Sequence, residues 1–124
     1  MAKITALAFG SLLGGFARYY LAGFIYRVFG ALFPYGTLAV NLLGCFLIGF
    51  LSALADEKLL LGPNARIFLM IGFCGAFTTF STFMLETANL IRDGQTMSAL
   101  LNVMISVLFG FLVFRLGILA AELM

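Results

Sequence analysis

Long apolar runs separated by short polar connections set the architecture of this chain. Apolar residues dominate 4–28, 35–55, 67–91 and 97–121. Each run meets the roughly 20 residues that an α-helix needs to cross a bilayer. The second run contains no charge, and the third is uncharged as far as Leu85. Arg18 interrupts the first, which closes near Arg27, and Arg115 is the one charge in the fourth. None of the runs has the strict alternation of a membrane-barrel strand. Between them lie Asp56-Glu57-Lys58 followed by the turn signal Gly62-Pro63-Asn64, and later Arg92-Asp93-Gly94. The pattern predicts an all-α integral membrane protein, a single domain over 1–124 with four transmembrane helices. Lys3 and the apolar residues after it have the outline of a secretory leader. No small-residue cleavage site closes that stretch and it continues past Arg18, so it is read as the first span.

The polar positions inside the runs refine this picture. Helices in lipid gain no hydrophobic energy from each other; they associate through small residues and interhelical hydrogen bonds. Gly10 and Gly14 share one face of span 1, with Ser11, Gly15 and Arg18 on an adjoining stripe. Span 2 carries Thr37, Asn41 and Gly44 on one face, and span 4 places Ser98, Asn102, Ser106 and Gly110 four apart. The glycines read as packing positions. Asn41, Asn102 and Arg18 are costly at membrane depth, and such groups face a partner or a water-filled path.

Span 3 holds the densest signal. Residues 72–83 contain Gly72, Gly75, Phe73, Phe77, Phe80, Phe83 and the hydroxyls Thr78, Thr79, Ser81 and Thr82, with no leucine. Glycine and clustered threonine are weak helix formers, which predicts a break near 75–79. A break at that depth frees backbone groups and must be buried in protein or line a cavity; broken helices of this kind hold cations at the midplane. The competing reading is a kinked helix whose hydroxyls bond back to the previous turn. Phe77, Phe80 and Phe83 are spaced by three and would be neighbours on a continuous helix. An aromatic ring is positive at its edge, so rings presented edge-on favour an anion without a full charge.

Composition narrows the chemistry. Apolar residues make up 64% of the chain and charged residues 10%, against about 25% charged in a soluble domain. A net charge of +2 gives no footing for nucleic acid, and the absence of histidine removes imidazole proton chemistry. Cys45 and Cys74 lie within apolar runs, with no metal motif around them, and read as packing residues. No phosphate loop or buried carboxylate pair points to an enzyme.

Three blocks taken together resemble the Fluc, or CrcB-like, family of fluoride channels: Gly14-Gly15-Phe16-Ala17-Arg18-Tyr19; Gly36-Thr37-Leu38-Ala39-Val40-Asn41 with Gly44; and residues 72–83. The resemblance spans nearly the whole chain. It implies passive, fluoride-selective export that relieves fluoride toxicity, in the cell inner membrane, by an antiparallel dual-topology homodimer with two pores. It implies a structural sodium ion, Na+, at the dimer centre, held by main-chain carbonyls that match Gly75 and Thr78. It implies pores lined by Phe80 and Phe83, an amide donor at Asn41, and Arg18 at the base of an aqueous vestibule. Thr79, Ser81, Thr82 and Ser106 match its polar track, and Glu86 lies near a pore exit. The rivals are a small dual-topology multidrug/proton exporter and a non-transporting membrane assembly subunit. The exporter needs a carboxylate in span 1, where this chain has only Arg18; the subunit needs neither the phenylalanine cluster nor Asn41. Loop charges are nearly balanced, with Lys3, Lys58 and Arg66 on one side and Arg27 and Arg92 on the other. Such balance suits insertion in both orientations.

Overall fold

The computed structural model describes residues 1–124 and is helical throughout, without a strand. α1 (Ala2–Phe29) ends where Gly30 adopts φ +80° and its N–H bonds back to the Tyr26 carbonyl. α2 (Tyr35–Ser52) runs on into a π-helical turn, Ala53–Glu57. The next helical stretch starts at α3 (Pro63–Arg66), where Pro63 occupies a first-turn position that needs no N–H. It widens into a π-helical segment, Ile67–Cys74, and tightens again into α4 (Gly75–Phe77). After an interruption at Thr78 and Thr79 come α5 (Phe80–Arg92) and α6 (Thr96–Glu122). A turn at Asp93-Gly94 joins these two, with Gly94 at φ +76°.

Three of these helical stretches are long and apolar enough to cross a membrane: Tyr35–Glu57, Pro63–Arg92 and Thr96–Glu122. α1 is of comparable length, 28 residues, but carries Lys3, Arg18 and Arg27 together with Tyr19, Tyr20 and Tyr26.

Glycines set the helix contacts. α2 and α6 approach through reciprocal positions: a Cβ on Gly49 would strike the Phe114 carbonyl, and one on Gly117 would strike the Phe46 carbonyl. α1 lies on the Ile67–Cys74 segment in the same way, with Gly10 against the Phe68 carbonyl and Gly14 against that of Phe73. Close backbone contact of this kind is how helices gain van der Waals energy in lipid. Ala55 and Ala121 are wholly buried, whereas Phe9, Phe16, Phe24 and Phe111 face outward.

Arg66 fixes the connection between α2 and α3. Its Nη1 pairs with Asp56 Oδ1 at 2.7 Å, its Nε donates to the Leu61 carbonyl at 3.1 Å, and its Nη2 donates to the Ala55 carbonyl.

Candidate functional site

The site is built around the interruption between α4 and α5. Helical hydrogen bonding stops because Thr78 (φ −86°, ψ 160°) and Thr79 (φ −151°, ψ 115°) are extended. The Thr79 N–H does not return to the Gly75 carbonyl; it donates to Asn41 Oδ1 at 2.8 Å. Asn41 Nδ2 donates to the Thr79 carbonyl at 3.0 Å. One carboxamide on α2 thus satisfies both backbone groups of one residue on the broken segment. A carboxamide nitrogen carries two hydrogens, so Asn41 retains one free donor. Arg18, on α1, reaches the neighbouring carbonyl: its Nη1 donates to the Thr78 oxygen at 3.2 Å.

The two half-helices meet with opposite polarity. The C-terminal end of α4 exposes carbonyls and the N-terminal end of α5 exposes N–H groups. Thr79 caps α5: its Oγ1 accepts from the Thr82 N–H at 3.3 Å, while its own hydroxyl donates to Thr82 Oγ1 at 2.9 Å. Thr78 Oγ1 bonds back to the Cys74 carbonyl at 3.0 Å. Its methyl fills the space that a side chain at Gly44 would need.

An open groove of about 420 Å³ runs along this break. It gathers Asn41, Gly75, Thr78, Thr79, Phe80, Phe83 and Ser106 from four regions of the chain. Its wall contains no carboxylate, lysine or arginine. Ser106 Oγ is buried with no hydrogen-bond partner, which leaves an uncommitted hydroxyl in the wall. Phe80 and Phe83 have ring centroids 5.7 Å apart, inclined by 45°; Phe83 is buried, whereas Phe80 is 73% exposed. Phe77 does not join them, since the break separates it from Phe80 and it stacks on Phe73 at 5.6 Å. Arg18, Ser81 and Thr82 do not line the groove: Arg18 acts on the Thr78 carbonyl, Thr82 closes the α5 cap, and Ser81 is exposed.

The donor set fits a hard cation in part. Redirection of the Thr79 N–H leaves the Gly75 carbonyl without its helical partner, and a carbonyl oxygen has two lone pairs, so Thr78 keeps one beside its bond to Arg18. Two carbonyls from one chain fall short of the oxygen shell that hard cations take.

Two clusters lie outside the groove, and although Asn102, Thr37 and Glu86 stood out in the sequence, their partners Thr87 and Tyr26 did not. Tyr26 donates to Glu86 Oε1 at 2.7 Å, with the Thr37 hydroxyl 3.2 Å away, and Glu86 Oε2 is buried without a partner. Asn102, 1% exposed, donates to Thr87 Oγ1 at 2.9 Å, and Thr87 donates to the Phe83 carbonyl at 2.7 Å.

Comparison with known proteins gives this geometry its relatives. Residues 5–118 match the family described as CrcB-like protein, Camphor Resistance (CrcB). The chain belongs to the CrcB-like family. It is 47% identical over 123 residues to a protein of Chlorobium chlorochromatii, covering 99% of this chain and 95% of that one. It is 48% identical to a Geotalea daltonii protein and 47% to one of Geobacter sulfurreducens, each over 122 residues and 98% of both chains. All three are named fluoride-specific ion channel FluC, so these CrcB-like relatives are channels and not enzymes.

Proposed function

We propose that the chain is a fluoride-selective channel that lets fluoride leave the cell passively and so relieves its toxicity. The observation that carries the reading is the groove at the broken helix. It combines amide and hydroxyl donors with aromatic rings, contains no charged side chain, and occurs in a chain whose relatives are named fluoride channels. Fluoride is small and strongly hydrated, so a path must replace its water with many donors. Within the groove the free Nδ2–H of Asn41, the Ser106 hydroxyl and the positive end of α5 supply them, and Ser81 and Thr82 lie beside it on the first turn of α5. The edges of Phe80 and Phe83 carry the dehydrated ion across the apolar part, where a fixed positive charge would trap it. Arg18 raises anion affinity from the vestibule, and Glu86 stands near the pore exit, held by Tyr26.

The working unit in this reading is an antiparallel dual-topology homodimer of four-span chains in the cell inner membrane, with two pores. Its support is the open side of the broken segment, where Phe80 and Gly75 are exposed. A second copy related by a two-fold axis in the membrane plane covers both breaks at once. Pairing would bring two sets of Gly75 and Thr78 carbonyls together, and these four oxygens are the residues that would hold Na+ at the dimer centre. When bound, Na+ supplies structural neutralisation of converging carbonyl dipoles. The multidrug/proton exporter is not favoured, because the charge midway along α1 is the half-buried Arg18 and no carboxylate accompanies it.

Ion efflux from liposomes containing the pure protein tests the reading. Fluoride should leave rapidly with negligible chloride and without a proton gradient. Equal release of both anions, or release only when protons flow, would overturn it.

A further inference from the structure

We propose that Asn41 is a positioning residue for the helix break, acting on permeation through the Thr79 backbone. The inference rests on the channel reading above but concerns how the pathway is held open, not which ion it takes. Three facts converge on it. First, both polar atoms of the carboxamide bond to Thr79, with Oδ1 2.8 Å from its backbone nitrogen and Nδ2 3.0 Å from its carbonyl oxygen. Second, Thr79 is the N-cap of α5, so its placement fixes the first turn that carries Phe80 and Phe83. Third, the adjacent Thr78 is pinned independently, by Arg18 on its carbonyl and by its methyl against Gly44. The Thr78 N–H still bonds the Cys74 carbonyl at 3.1 Å, but the Thr78 carbonyl and both backbone groups of Thr79 are held by side chains from α1 and α2.

The arrangement follows from elementary accounting of backbone groups. An extended residue inside a membrane protein must satisfy one N–H and one C=O away from water. A carboxamide is the one uncharged side chain that offers a donor and an acceptor side by side. Asp at this position would keep the acceptor and lose the donor; Ser carries donor and acceptor on one oxygen of a shorter side chain, not on two atoms set side by side. If Asn41 acted only by touching the anion, there would be no reason for both its polar atoms to be committed to the same backbone residue.

Amide hydrogen exchange at Thr79 reads the clamp directly, and fluoride flux against fluoride concentration reads its consequence. In Asn41→Ala the Thr79 amide should exchange about tenfold faster or more, the scale expected when a buried donor loses its partner. In Asn41→Asp, which keeps Oδ1, it should exchange as in the parent protein. Maximal flux through Asn41→Ala should fall about tenfold or more, because a displaced pathway conducts less at any fluoride concentration. Asn41→Ser gives the same comparison should Asn41→Ala not assemble. Unchanged Thr79 exchange in the Ala or Ser variant, or half-saturating fluoride that rises while maximal flux is kept, would overturn the proposal in favour of direct anion contact. The exchange measurement needs no flux. A parent protein that released no fluoride would sink the channel reading and leave the clamp still testable.

Discussion

Individual side chains in this protein act by geometry more than by charge. Phe80 and Phe83 stand beside the break with their rings tilted to one another, and the proposed role depends on the electropositive ring edge. Isoleucine keeps much of the bulk and has no quadrupole. Phe80→Ile and Phe83→Ile should each cut fluoride flux from liposomes by about tenfold or more, the scale of losing an aromatic contact. Size-exclusion chromatography should find their assembly unchanged; parental flux in both variants would remove the ring-edge mechanism. Asn102 is a different case. It is buried on α6 and tied to Thr87, which in turn holds the Phe83 carbonyl. Asn102→Leu leaves Thr87 without that donor and should cost about 1–3 kcal/mol. Thermal unfolding in detergent measures the loss, and a melting temperature equal to the parent's would contradict the tie.

At the scale of helices, reciprocal glycines decide how closely the elements sit. Gly49 and Gly117 each meet a carbonyl of the other helix, and backbone cannot yield as a flexible side chain can. Gly49→Ala and Gly117→Ala should each separate α2 from α6 and cost about 1–3 kcal/mol, the range for overpacking a well-filled contact. A lowered melting temperature is the expected result. The control is Gly15→Ala, since nothing lies within 4 Å of a Cβ placed there; it should melt with the parent. The broken stretch follows a further rule. Its first half ends in free carbonyls and its second begins in free N–H groups, so a single interruption presents a cation-facing end and an anion-facing end.

For the molecule as a whole, the question is what covers the open side of the break. Loop charges favour neither orientation strongly, with Lys3, Lys58 and Arg66 against Arg27 and Arg92, and orientation follows such a bias. Two or three lysines added to the connection at 58–62 should force one orientation, seen as uniform protection or exposure of a C-terminal cysteine label. Flux should then vanish and should return when a copy biased the opposite way is coexpressed. A single-orientation population with full flux would rule out the antiparallel pair. Sodium enters at the same scale. If carbonyls of Gly75 and Thr78 from two copies hold Na+, exchanging sodium for a much larger monovalent cation should lower the melting temperature of the pair. Melting that ignores the cation would exclude the site.

The sequence alone determined the helical class, because apolar runs of bilayer length with few charges have no other stable form in lipid. It also placed the weak point of the third run within 75–79, since glycine and clustered threonine disfavour helix, and the interruption lies at Thr78 and Thr79. The three motif blocks were sufficient for the family, as the match over 5–118 bears out. What each polar residue touches was decided by tertiary structure. Asn41 and Thr79 are 38 residues apart, and Arg18 and Thr78, like Tyr26 and Glu86, are 60 apart. Periodicity reports only which residues share a face of one helix; it carries no information on which face of another helix they meet. The three-residue spacing implied that Phe77 would join Phe80, yet the extended dipeptide between them turns Phe77 onto Phe73. The π-helical widening at Ile67–Cys74 has no sequence signature either. Its hydrogen bonds remain local, but the segment lies against the backbone of α1 at Gly10 and Gly14, a contact that exists only once the chain has folded back on itself.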